Sequence, residues 1–225
     1  MIEFRRAGES DAEFIAESIR EAEKSGTDVF SYARIFGLED EKATEIIKNA
    51  VLEDIPGQEL CLSGFIIADS DGEPAGAVCS WIEAEEDVPS SVIKANVLFY
   101  FLGKEIIAHA ADKSVIVEPL TIQREQGTLQ IESVYVRNKF RGMGVSNKLI
   151  LEHIKQSILN GKSFSKVQIQ LAETNASALA SYKKLGFETM IRKTGNHPDI
   201  LNYLPSDTKI MMELRVSELA EKGLI

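Results

Sequence analysis

The stretch Gln130–Asn147, QIESVYVRNKFRGMGVSN, limits this chain to folds in which a strand runs through a glycine turn into a helix. Ile131–Val136 is rich in β-branched and aromatic residues and reads as a short strand. Arg141-Gly142-Met143-Gly144-Val145-Ser146 follows as a turn, and Asn147–Gln156 has a helical pattern. A strand, a glycine turn and a helix start can hold a phosphate, because turn N–H groups and a helix N-terminus both attract an anion. From Ser133 to Ile150 there is no acid, but there are Arg137, Lys139, Arg141 and Lys148, in a chain of formal net charge −10. The stretch reads as an anion site.

The 225 residues suit one domain spanning 1–225, and 44% hydrophobic residues can fill a sizeable core. An excess of 35 acids over 25 basic residues argues against nucleic-acid binding, which needs a basic face, and is compatible with a cationic amine substrate. Cys61 and Cys79 have no metal-type spacing, so neither a zinc site nor a disulfide framework is implied. The opening MIEFRRAGESDAEF is charged where a signal peptide is apolar, and no segment reaches the roughly 18 apolar residues of a membrane span. The expectation is a cytoplasmic protein without membrane, nucleic-acid or metal partners.

Along the chain, Met1–Arg6 reads as an edge strand, and Ser10 with Glu13 fits a capping box opening a helix over 11–24. The segment 31–36 is ambiguous. Its neighbouring aromatics Phe30, Tyr32 and Phe36 suit core packing, or a substrate pocket. Glu39–Leu52 is helical by its spacing of Ala43, Ile46, Ile47, Ala50 and Val51. Glu59–Asp69 and Pro74–Glu83 read as strands joined by the hairpin turn Asp69-Ser70-Asp71-Gly72. Residues 84–127 form an insertion, with helical pieces at about 88–115 separated by Gly103. Val92–Leu102 is apolar except for Lys94 and Asn96, which predicts burial against the sheet or a second subunit. Pro119–Gly127 is expected to return to the sheet. Further on come a helix to Leu159, a strand at Phe164–Leu171, a helix at Asn175–Leu185 stopped by Gly186, and strands at Glu188–Lys193 and Lys209–Val216. His153 reads as a surface residue of the first of these helices, and His109 as a candidate for the substrate site.

Two motifs carry a resemblance. Arg141-x-x-Gly144-x-Ser146 resembles the acyl-CoA pyrophosphate loop of the GCN5-related N-acetyltransferase (GNAT) superfamily, with Ser146 where Gly or Ala is usual. Asn175-x-x-Ala178-x-x-x-Tyr182-x-x-x-Gly186-Phe187 is similar to that family's second signature helix. The likeness covers roughly 128–215, and residues 1–127 match only in element order. It implies an α/β fold with a mixed, mostly antiparallel central sheet flanked by helices, here carrying the helical insertion.

The resemblance also implies a chemistry, acetyl transfer from acetyl-CoA to a primary amine by direct attack in a ternary complex. Arg141, Gly142, Met143, Gly144, Val145 and Ser146 would wrap the CoA diphosphate. Backbone N–H groups around Val134, Tyr135 and Val136 would bind the pantetheine arm and polarise the thioester carbonyl. Asn175 would hydrogen-bond the pantetheine, cap its own helix, or both. Tyr182 would be the general acid toward the departing thiolate. Strand alternation puts Glu132 on one face with Val134 and Val136, so it is expected beside the cofactor as the base; the other reading is an ion-pair partner. The acceptor is expected to be a small molecule. Other readings are a non-catalytic acyl-CoA-binding module, an enzyme acting on a protein N-terminus or lysine, and, for the apolar insertion, a homodimer surface.

Overall fold

The computed structural model describes residues 2–225. The elements run β1 (Ile2–Arg6), α1 (Ala12–Lys24), α2 (Ser31–Phe36), α3 (Asp40–Leu52), β2 (Phe65–Ser70), β3 (Glu73–Ile82), α4 (Ser90–Val117) and β4 (Leu129–Val136). They continue with α5 (Val145–Leu159), β5 (Lys166–Ala172), α6 (Ala176–Leu185), β6 (Glu188–Thr194), β7 (Thr208–Arg215) and α7 (Val216–Glu221). The strands form one sheet in the order β1-β2-β3-β4-β5-β7-β6. Every neighbouring pair is antiparallel except β4 and β5, which run parallel.

Both faces of the sheet are covered, which accounts for the near-continuous apolar runs in β2 and β3. On one face, Ile15, Ile19, Ile47, Phe65, Ile67 and Leu98 belong to a core built with α1, α2, α3 and α4. On the other, Ile66, Ile131, Leu149, Ile154, Met212 and Leu219 form a second core with α5, α6 and α7. Alternation along β2 sends Phe65 and Ile67 to one core and Ile66 and Ala68 to the other. Asp71 and Gly72, with φ of 55° and 85°, supply the positive-φ pair that a two-residue hairpin turn requires.

Local expectations fail in instructive places. The first helix has no side-chain cap; Asp11 closes the 3-10 turn Glu9–Asp11 that leads into it, its Oδ2 accepting from Gly8 N at 2.9 Å and from Arg5 Nη1 at 2.7 Å. Glu13 instead meets Lys48. Residues 121–127 do not return to the sheet. They cross its face as an extended segment, held there by Gln170 Nε2 donating to Ile122 O at 3.1 Å. The insertion helix is kinked at Gly103 (φ 73°, ψ 167°). It buries Val97, Leu98, Leu102 and Ala110, whereas Val92, Phe99, Tyr100 and Val115 are exposed. Among the described residues no helix is long and apolar enough to cross a membrane.

His153 is not at the surface. Its ring is fully buried between α5 and β3, with Nε2 3.1 Å from Val78 O and Nδ1 2.8 Å from Ser80 Oγ. A carbonyl only accepts, so Nε2 carries the proton and Nδ1 accepts from the serine hydroxyl, which is the neutral tautomer. Burial, with the nearby Arg6 charge, pushes the imidazole down to about 3 from its ordinary 6.5. Below pH 6.5 the unfolded chain therefore takes up a proton that the native state refuses. Stability is fully present above that pH and falls by about 1.4 kcal/mol per pH unit toward pH 3. Urea unfolding at pH 7 and pH 5 is expected to show His153→Gln losing about 2 kcal/mol less than the wild type over that interval. Parallel losses would mean that the imidazole is not responsible.

Candidate active site

Parallel strands β4 and β5 pair only from Leu129–Ile131 to Val167–Ile169. Beyond that point no residue of β4 pairs with β5, so one edge of residues 132–136 is left open in the middle of the sheet. The opposite edge is irregular. Glu132 pairs with Cys79 and Tyr135 with Ala77, so Ser133 and Val134 together face Val78 alone. This is a β-bulge, and Ser133 carries its strain with φ 53°.

The bulge reverses the strand's phase. Ile131, Val134 and Val136 all pack toward the α5 core, and Tyr135 packs toward the α1 core. Glu132 and Val134 therefore do not share a face as strict alternation expects, because one extra residue turns over every side chain beyond it. Val134, Tyr135 and Val136 line a cleft of about 290 Å³ that Glu132 does not line. Glu132 lines the neighbouring cavity.

The cleft is completed by Arg141, Gly142, Gly144, Val145 and Ser146 from the glycine loop, and by Asn175 and Tyr182 from α6. Met143 is not part of its wall, and its side chain is 56% exposed. Gly142 and Gly144 have φ of 79° and 71°, and Gly144 is the residue from which α5 starts. Positive φ at both positions turns the backbone inward at a place where a β-carbon would be strained. Among the described residues, the loop N–H groups of Gly142, Met143 and Gly144 donate no hydrogen bond, and the first N–H groups of a helix have no intrahelical acceptor. A row of free donors at the start of a 15-residue helix suits a diphosphate. Ser146, in place of Gly or Ala, points its hydroxyl at Ser181 Oγ, 3.3 Å away. Next to it, Ser181 Oγ donates to Asn147 Oδ1 at 2.8 Å, which ties α5 to α6.

Asn175 is the N-cap of α6, its Oδ1 accepting from Ala178 N at 3.2 Å. About two helical turns later, Tyr182 is buried with its ring 6.0 Å from that of Phe187. Its hydroxyl makes no hydrogen bond within the described residues. Burial, and secondarily the negative charge of Glu132, hold the phenol well above its ordinary pKa, so it stays protonated across the neutral range.

A larger cavity of about 470 Å³ lies on the α1–α4 side and shares Ala22, Val134, Asn175 and Tyr182 with the cleft. Tyr32 and Phe36 line it, whereas Phe30 is buried in the core. Helix α4 forms part of its wall through Lys94, Leu98, Ser114 and Val117. Exposed His109 does not line it. Glu132 Oε1 accepts from Arg124 Nη2 at 2.7 Å, and the guanidinium carbon lies 5.3 Å from the centre of the Trp81 ring. Buried Glu59 is bonded to the Tyr32 hydroxyl and, at 3.0 Å, to Lys94 Nζ. Burial would raise Glu59, but Lys94, the Tyr32 hydroxyl and Arg124 outweigh it and hold the carboxyl well below the usual range. Arg124, Glu59, Glu23 and Lys209 are not marked by any local motif. Only Lys94 left a trace in the sequence, as a charge interrupting an apolar run.

The likeness to known proteins follows the same geometry. An N-acetyltransferase from Staphylococcus aureus Mu50 superposes with a TM-score of 0.63 at 17% identity, over 94% of this chain and 100% of its own. YncA of Salmonella typhimurium, solved with its cofactor acetyl-CoA, gives 0.54 at 14% identity over 96% and 94% of the two chains. An aminoglycoside acetyltransferase in complex with coenzyme A gives 0.54 at 15% identity over 99% of each. No curated protein matches by sequence. The sequence model described as the acetyltransferase (GNAT) family matches residues 29–187, a span that takes in the parted strands, the glycine loop and α6. With that match over more than half its length, the chain belongs to the acetyltransferase (GNAT) family.

Proposed function

We propose that the protein transfers acetyl from acetyl-CoA to the primary amine of a small molecule, by direct attack in a ternary complex. The observation that carries this reading is the meeting of two spaces. A cleft with free backbone donors suits the CoA diphosphate and pantetheine, a charged cavity suits an amine, and the two share Val134, Asn175 and Tyr182 in their walls. Acetyl-CoA and coenzyme A in two structural relatives support the choice of cofactor.

In this reading the N–H groups of the 142–147 backbone hold the diphosphate, and the open edge of β4 around Val134 and Val136 pairs with pantetheine and polarises the thioester carbonyl. Glu132 takes a proton from the ammonium of the acceptor, directly or through water, and the freed amine attacks the carbonyl carbon. As the C–N bond forms, the C–S bond breaks and the sulfur takes the proton of Tyr182, while the second proton shed by the nitrogen returns to the phenolate, leaving a neutral amide and the CoA thiol. A cavity of this size suits a small molecule better than a folded protein surface. Helix α4 also lines the cavity without filling it, unlike the plug expected of a non-catalytic binding module.

The direct experiment is an amine panel with acetyl-CoA, read by thiol release and by mass of the product. Acetylation of at least one class of free amine is expected. Tight acetyl-CoA binding without turnover on any amine would leave a binding module as the better reading.

A further inference from the structure

The larger cavity holds more charge than its ion pairs neutralise. Glu59 is met by Lys94 and Glu132 by Arg124. Glu23 and Lys209 also line the cavity, and among the described residues neither makes a hydrogen bond or an ion pair. Arg124 adds an unmet donor, since its Nε is fully buried and has no hydrogen-bond partner. Buried polar groups are normally satisfied, and an unpaired charge in an interior is costly. Two cationic donors and one carboxylate without partners in one cavity outline the ligand that would complete them.

The electrostatics place these groups within one field. Burial lowers Lys209; Glu132 and Glu23 partly restore it, and the charges of Arg124 and Lys94 depress it further. Burial raises Glu23, Glu59 adds to this, and Lys94 and Lys209 offset it. Topology gives the same grouping. Lys209 enters β7 opposite Ala172 of β5, Arg124 lies on the 121–127 segment crossing β5, and Glu23 reaches in from the end of α1.

Building on the acetyltransferase reading, we propose that the acceptor is an amine that also carries a carboxylate, an amino-acid-like zwitterion. Lys209 and the Nε of Arg124 receive its carboxylate, and Glu23 and Glu132 face its ammonium group. A simple monoamine would leave Lys209 and Arg124 Nε unmet. A diamine would bring a further cation beside Lys94, Arg124 and Lys209, a like-charge juxtaposition that costs several kcal/mol. Phe36, Leu98 and Leu204 give the cavity an apolar part against which a side chain can rest.

Matched pairs test this: kcat/KM is measured with acetyl-CoA for amino acids and for their carboxamides, for example leucine and leucinamide, tyrosine and tyrosinamide, lysine and lysinamide. Each pair keeps size and the α-amine and removes the negative charge; because a carboxamide also lowers the pKa of that amine, kcat/KM is compared per fraction of free amine. The free acid is expected to be preferred by at least about tenfold, the order of one lost charge-assisted contact. Lys209→Met, similar in length, is expected to bring that ratio close to one, mainly through KM of the acid, and Lys209→Arg to restore a preference. Should Lys209→Met not fold, Lys209→Gln is read for the same ratio. Equal or better turnover of the carboxamides overturns the proposal and leaves acetyl transfer to amines standing. A preference that survives Lys209→Met overturns the role of Lys209. Acetylation of neither set, nor of any other amine, refutes the acetyltransferase reading itself, and this proposal with it.

Discussion

Tyr182→Phe is expected to lower kcat by roughly 10²–10³-fold while acetyl-CoA affinity stays within about twofold. The large loss follows from where the hydroxyl stands. Tyr182 lies at the junction of the cofactor cleft and the larger cavity, and its hydroxyl has no hydrogen-bond partner within the described residues. A phenol kept protonated by burial and by the nearby Glu132 charge is a ready donor for the negative charge that develops on the departing sulfur. Phenylalanine keeps the ring and its contact with Phe187, so the fold and the cleft wall are retained and the loss falls on the chemical step. Steady-state kinetics paired with calorimetry of acetyl-CoA binding separates the two quantities. An unchanged kcat would remove Tyr182 from the acid role and leave it as a core aromatic.

The second large effect belongs to Glu132. Glu132→Gln is expected to lower kcat/KM for the amine at neutral pH by about 10²-fold, because an alkyl ammonium of pKa about 10 is then left without a built-in base. The pH profile gives the sharper distinction. With a carboxylate base the rate falls at acid pH as that base is protonated. Without one, the rate follows the fraction of free amine and rises about tenfold per pH unit up to the amine's own pKa. The ion pair with Arg124 at 2.7 Å engages Oε1, and among the described residues none bonds to Oε2. Glutamine keeps an oxygen for the guanidinium, so the fold should tolerate the change. Profiles of the same shape and height for variant and wild type would reduce Glu132 to the counter-ion of Arg124.

The legibility of this protein depended on the range of the interactions involved. The glycine loop and α6 were legible because their physics is local. Positive φ at Gly142 and Gly144, the N-cap at Asn175 and the stop at Gly186 each need particular residues at fixed short spacing. Most helices and strands were legible for the same reason, since a 3.6 or 2 period is written within a dozen residues. The face of Glu132 was not, because the bulge at Ser133 is fixed by the pairing of β4 with β3, about fifty residues earlier in sequence. His153 was misread because its partners, Val78 and Ser80, are on another element.

The sequence by itself thus determined the fold type, the glycine loop at the start of α5 and the position of Tyr182, all consequences of short-range backbone chemistry. Only the tertiary structure decided which charged groups line the larger cavity. Arg124, Glu23, Lys94 and Lys209 come from an extended crossing segment, two helices and a distant strand, and they meet because the sheet parts between β4 and β5. A charge pattern assembled across such separations leaves no period or motif in the chain. It is expressed only in the energy of burying those groups together.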